Sequence, residues 1–165
     1  VMGETASVIA SADHGDFSKL LVKVEDGVLI VRRSDTFGNN DGLYYKATVT
    51  ATSLDLVKAS TGATLNGRDL AIEDGKLIGD TGAIINVAGT CGSLFVKSAT
   101  GAEIDASDLK CRSVKVKGRI GGIAKVYASD RIEAFARMGA EITVHGDPKS
   151  RDRGRFLGGE VRYVE

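Results

Sequence analysis

The chain has 165 residues, the length of one domain, and its 22 Lys+Arg balance its 22 Asp+Glu. That balance argues against a dedicated DNA or RNA binder, which carries a basic excess over the whole domain. No apolar run approaches the roughly 20 residues of a membrane helix. With 21 Gly, one Pro and no Trp, the composition fits a fold full of tight turns rather than a Pro-rich linker.

The opening VMGETASV lacks a basic region followed by an apolar core, the pattern of a signal peptide. A cytosolic chain and a mature, processed one both remain open on that ground. The stretch LLVKVEDGVLIVRR alternates on both sides of Asp26-Gly27, a hairpin pair, which predicts antiparallel strands over 20–25 and 28–33. SDTFGNNDG, residues 34–42, reads as a polar loop. LYYKATVTA returns as a strand and leads towards the first repeat. Residues 1–52 thus read as an antiparallel N-terminal region able to cap the remainder of the chain.

From residue 53 onward a repeat takes over. Thr-Gly-Ala occurs at 61–63, 81–83 and 100–102. The series Gly62, Gly82, Gly101, Gly121, Gly139 and Gly158 has separations of 20, 19, 20, 18 and 19. A tiny residue always comes next: Ala63, Ala83, Ala102, Gly122, Ala140, Gly159. Three residues after each Gly come Leu65, Ile85, Ile104, Ala124, Ile142 and Val161, with polar residues next to them. That is period-two alternation, a strand with one buried face.

A second strand precedes the glycine, with Leu94 and Val96, Val114 and Val116, Ile132 and Ala134 inward. A third inward offset, eight after the glycine, holds Leu70, Thr90, Leu109 and Ser129. Twenty residues with such short strands cannot bury a core alone, but stacked units can. Residues 53–165 therefore read as a parallel β-solenoid of about six ~20-residue rungs, right-handed by the crossover rule and roughly 29 Å long. The chain as a whole, 1–165, reads as a single all-β domain. Near the end, DPKSRDRGRFLG puts Arg151 and Arg153 where an inward strand belongs, and reads as a loop closing the column.

Three stretches together resemble the Putative auto-transporter adhesin, head GIN domain family: VEDGVLIVRR, the train of small-Gly-small corners from Thr61 to Gly159, and the closing ITVHGDPKSRDRGRFLGGEVRYV. The corners depart from the family's Gly-Ser-Gly, and Thr52 stands where the family has Pro. The resemblance implies a β-solenoid of the bacterial periplasm, outer-membrane surface or secreted fraction. It brings no catalytic residues.

Candidate chemistry is sparse. Cys91 and Cys111 fall ten residues before successive glycines and so on adjacent rungs. They read as two stacked buried thiols or as a disulfide across rungs. His14 and His145 have no evident triad partners and read as solvated. Asp69, Asp105, Asp108 and Asp130 read first as turn residues and second as carboxylates of a glycan-cleaving site. Ile84 and Ile123 hold outward positions that would suit a subunit contact. LKCRSVKVKGR is rich in base, and Lys97 should stack beside Lys117, making Lys97, Lys115, Lys117 and Arg119 a candidate strip for an acidic polymer.

Taken together, these features read as a non-enzymatic envelope module for adhesion or polysaccharide binding. It needs no metal or cofactor. Its partner would be an acidic surface polysaccharide or another envelope protein, and it would be a monomer or weak homo-oligomer. A self-assembling scaffold is the alternative, and a polysaccharide-degrading enzyme the third reading.

Overall fold

The computed structural model describes residues 7–12, 20–26, 28–33, 45–50 and 54–164, and no helix occurs among them. The chain divides into two compact units, one of residues 3–51 and one of residues 1–2 with 52–165. In the first, β1 (Ser7–Ala12) pairs antiparallel with β4 (Tyr45–Thr50), and β2 (Leu20–Glu25) pairs antiparallel with β3 (Val28–Arg33). The β2–β3 bounds are those expected from the alternation around Asp26, whose φ of 49° is the positive value a tight hairpin turn demands. β4 forms as expected, but its partner β1 gave no clear pattern in the sequence. The 34–42 stretch and His14 lie outside the described residues.

The second unit is a parallel β-solenoid. β5 (Leu56–Ser60), β6 (Thr64–Asp80), β7 (Ile84–Ala99), β8 (Glu103–Arg119), β9 (Ile123–Arg137), β10 (Glu141–His145) and β12 (Glu160–Val164) succeed one another in a single sheet. β11 (Ser150–Phe156) also pairs with β9. Every ladder is parallel, and equivalent residues one rung apart face each other.

The repeating glycines form the corners. Each is preceded by a residue that also has positive φ: Thr61, Thr81, Thr100, Ile120, Met138 and Leu157, all between 46° and 56°. The residue after each glycine donates its N–H back across the turn, as from Ala102 to the carbonyl of Ala99 at 3.0 Å. Two central residues with positive φ closed by such a bond make a type I′ turn. The glycine N–H is thereby freed to point along the column. Gly82 donates to the carbonyl of Thr100 at 3.1 Å, Gly101 to Ile120 at 3.1 Å and Gly121 to Met138 at 3.0 Å.

The tiny residue after each glycine has a packing cause. Ala83, Ala102, Gly122 and Ala140 are buried where the two walls of the column converge. Facing them is a second small column, Ala59, Gly79, Ser98, Gly118 and Ala136. A Cβ on Gly118 would stand 2.9 Å from that of Ala140, and one on Gly122 would stand 2.5 Å from the carbonyl of Ser98. Ser98 is fully buried and satisfies its hydroxyl by donating to the carbonyl of Ala102 at 2.6 Å. Away from the corner the walls separate and larger residues fill the core. Ile85, Ile104, Ala124 and Ile142 make one buried stack, and Leu77, Val96, Val116 and Ala134 another. Burying each Ile, Leu or Val contributes about 1.5–3 kcal/mol relative to exposure.

Two expectations need correction. The offset of eight after the glycine is not one column: Leu70 faces Gly89, which faces Leu109, whereas Thr90 faces Ala71 and is exposed. β6 carries a bulge between Gly67 and Leu70, in which Asp69 takes a positive φ of 55°. A bulge adds a residue to one strand and displaces every later residue relative to its partner. The second correction concerns residues 150–156, which form a strand rather than a loop. Arg151, Arg153 and Arg155 stand in register with Ile132, Ala134 and Ala136, continuing inward columns beyond the last full rung. All three are exposed, and Arg151 lies over the Tyr163 ring at 4.9 Å. Charged residues at inward positions of a terminal strand oppose pairing with another chain.

The convergence of the walls predicts that Ala102→Leu will lower stability by about 1–3 kcal/mol through overpacking. The urea midpoint should fall while the slope of the transition stays unchanged.

Candidate binding face

In-register stacking turns sequence offsets into columns on the outer surface. On the wall before the corner, one column runs Lys76, Phe95, Lys115, Glu133, Asp152. The next runs Ile78, Lys97, Lys117, Phe135, Gly154, and the third Arg119, Arg137, Phe156, continuing from the buried Ala99. The four basic residues singled out in the sequence thus share one wall. Lys97 and Lys117 are direct register partners.

Their surroundings differ. Lys115 donates to Glu133 Oε2 at 2.6 Å, and Arg131 donates to Glu133 Oε1 at 2.7 Å. The hydrogen bond from Lys115, then its charge, and then Arg131 hold the Glu133 carboxyl below the ordinary range. Lys115 is therefore largely neutralised. Lys97 and Lys117 make no ion pair within 4.0 Å among the described residues. Lys117 stands 5.9 Å from the centre of the Phe95 ring, within cation–π reach. Arg119 is half-buried, and its Nε lacks a hydrogen-bond partner.

Two aromatic side chains, both overlooked in the sequence, complete the wall. Phe95 is half-buried and Phe135 exposed. Phe135 lies across the backbone of Gly154, where a Cβ would come within 2.5 Å of its ring. Two shallow hollows flank the Lys115–Glu133 pair. One, of about 260 Å³, is lined by Lys115, Lys117, Glu133, Phe135, Asp152 and Arg153. The other, of about 220 Å³, is lined mainly by Phe95, Ser93, Ser113 and Arg131. The wall thus sets two aromatic ring faces beside the ammonium groups of Lys97 and Lys117.

The remaining candidates fall elsewhere. Cys91 and Cys111 are joined in a disulfide between register partners, with Cα atoms 4.5 Å apart. Asp105 accepts from the Ser107 N–H and hydroxyl at 3.1 and 2.6 Å, and lies 3.4 Å from Lys125 Nζ. Burial alone would raise its carboxyl, but these bonds and the nearby charge outweigh it and the net shift is down. Asp130 pairs with Lys149 at 3.3 Å, while Asp69 serves the β6 bulge. Ile84 and Ile123 are exposed on the other side of the corner, in one column with Glu103 and Glu141. Among the described residues no three His, Cys, Asp or Glu side chains gather as metal ligands.

A family model described as "Putative auto-transporter adhesin, head GIN domain" matches residues 1–148. The chain belongs to this family. Solved structures share the fold of this GIN-domain chain at low identity. A "putative adhesin" from Bacteroides fragilis NCTC 9343 aligns with a TM-score of 0.64 at 16% identity, covering 99% of this chain and 85% of the other. A "putative lipid binding protein" from Parabacteroides distasonis ATCC 8503 aligns at 0.54 and 19%, covering 99% and 87%. A "putative adhesin" from Parabacteroides merdae ATCC 43184 aligns at 0.51 and 18%, covering 98% and 85%. No curated protein matches the chain.

The Lys115–Glu133 pair gives the GIN-domain wall a measurable pH signature. A depressed carboxyl contributes stability that is present above the ordinary Glu value of about 4.3 and is lost as pH falls through its folded value. Lys115→Ala should raise the Glu133 titration midpoint towards the ordinary value, read by carboxyl carbon NMR. The stability difference between the two proteins should vanish once Glu133 is protonated.

Proposed function

We propose that this chain is a non-enzymatic envelope module that holds an acidic polysaccharide on the wall carrying Lys97, Lys115, Lys117 and Arg119. The observation that carries the reading is the register pair Lys97–Lys117. Two ammonium groups held on adjacent rungs repel each other, neither has an ion-pair partner within 4.0 Å among the described residues, and the one carboxylate that feels the Lys97 charge is Asp80. An anionic ligand would relieve that repulsion. Phe95 and Phe135 supply ring faces beside it, and the two hollows give an extended chain a path across several rungs.

Membership of an adhesin-like family supports an envelope location. So does the Cys91–Cys111 disulfide, since such bonds persist in oxidising compartments such as the periplasm and cell surface. Adhesion through a repeated ligand needs a rigid, repetitive face, and a solenoid supplies one. Assembly by end-to-end stacking is the weaker reading, because Arg151, Arg153 and Arg155 crowd the terminal strand with charge.

Binding to acidic polysaccharides should be salt-sensitive, and Lys97→Glu with Lys117→Glu should weaken it by at least about tenfold, an order set by two lost charge contacts. Isothermal titration against acidic and neutral polysaccharides at two salt concentrations checks this. Equal binding by wild type and the double variant would remove the proposal, as would the absence of binding to every polymer.

A further inference from the structure

The corner ridge changes character halfway along the column. Its first three positions are Thr61, Thr81 and Thr100; its last three are Ile120, Met138 and Leu157. All six take the same positive φ, so the turn itself does not call for an apolar side chain. The apolar side chains gain no shelter from the exchange. Ile120 is 48% exposed, Met138 44% and Leu157 62%. Phe156, next to Leu157, is 57% exposed. Corner hydrogen bonds link Gly121 to Met138 and Gly139 to Leu157, so these side chains project from consecutive rungs as one line. At ~4.8 Å per rung the line is roughly 10 Å long.

The ridge is flanked by unpaired cations. On the wall before it, Arg119 and Arg137 are register partners one above the other, and Lys117 stands one position further back. None of the three has an ion-pair partner within 4.0 Å among the described residues. Arg155 adds a fourth positive charge at the end of the column. The carboxylates across the corner are Glu103, which lies 3.8 Å from Lys125 Nζ, Glu141 and Glu160, and Glu160 is closed off by Arg162, which donates to both of its oxygens at 2.7 Å.

We propose that the ridge Ile120–Met138–Leu157, with Phe156, docks on an anionic lipid surface. The apolar side chains enter the headgroup–acyl boundary, and Arg119, Arg137 and Lys117 meet lipid phosphates. A protruding apolar edge with a basic flank has the composition of an interfacial membrane contact. The polymer site proposed above uses the ring faces of Phe95 and Phe135 rather than the corner ridge, so this contact is separate from it, although Lys117 and Arg119 border both.

The test is co-sedimentation with vesicles of equal parts phosphatidylglycerol and phosphatidylethanolamine, against vesicles of phosphatidylcholine alone. The variant Ile120→Thr with Met138→Thr and Leu157→Thr gives the lower rungs the residue the upper rungs carry, so the corner geometry is retained. Thermal unfolding checks that. Wild type should bind the anionic vesicles and not the neutral ones, and the triple variant should bind about tenfold more weakly or worse. Because the chain has no Trp, Met138→Trp provides a single reporter whose emission should move to shorter wavelength on vesicle binding. Binding of acidic polysaccharide should be unchanged in the triple variant, which separates failure of this proposal from failure of the polymer-binding one. No binding to anionic vesicles, equal binding by the triple variant, or equal binding to neutral vesicles would overturn it. So would a concentration-dependent mass that the triple variant abolishes without any vesicle binding, since the ridge would then join copies of the chain.

Discussion

The solenoid depends on one repeated hydrogen bond, from the N–H of each corner glycine but the last to the carbonyl of the positive-φ residue one rung on. The type I′ corner makes it possible by turning two successive residues into the left-handed region. Glycine accepts that conformation freely, while the residue before it does so at some cost. Once the corners are tied, the strand segments that flank them are held in register, so that Ile85 lies on Ile104 and Val96 on Val116. Register shifts occur only at the bulges between corners. The small residues on both walls beside the corner then let the walls meet without clashes, and the core widens only where Ile, Leu and Val are available to fill it.

The same constraint shapes the surface. In a parallel, in-register stack each outward side chain meets its equivalent on the next rung at strand spacing, so a column either alternates in charge or accumulates it. Lys115 over Glu133 is the alternating solution, and Asn86 donating to Asn66 at 3.0 Å is a neutral one. Lys97 over Lys117 and Arg119 over Arg137 accumulate charge instead. Glu141 over Glu160 accumulates negative charge that Arg162 offsets, whereas the two cationic columns have no ion-pair partner within 4.0 Å among the described residues. Their nearness to Phe135, Phe156 and the apolar half of the ridge gives this side of the solenoid a basic, apolar character that a net charge of zero conceals.

Much of this architecture was legible in the sequence, because a corner built from Gly and a tiny residue leaves an imprint every 18 to 20 positions. The alternation beside it identified the inward stacks of Ile, Leu and Val. A fixed offset failed beyond the bulge at Gly67–Leu70, where Asp69 shifts the frame and Leu70 pairs with Gly89. The strand at 150–156 was hidden because three arginines occupy inward positions, which a terminal strand tolerates and an interior one does not. β1 was hidden because SVIASA is short and four of its six residues are Ser or Ala. At the candidate face, the stacking of Lys97 on Lys117 could be read from the period. The pairing of Lys115 with Glu133 could not, since it depends on which residues 18 positions apart have matching charge. The roles of Phe135 and Gly154 were likewise invisible without the rung that brings them together.

The central claim is that the corners, tied rung to rung, define the column. Through-hydrogen-bond scalar couplings test it most directly, read from the amide nitrogens of Gly82, Gly101 and Gly121 to the carbonyl carbons of Thr100, Ile120 and Met138. Measurable couplings at all three pairs are the predicted result. Their absence, together with fast amide exchange at these glycines, would contradict the account, because the register of every stack would then need another origin.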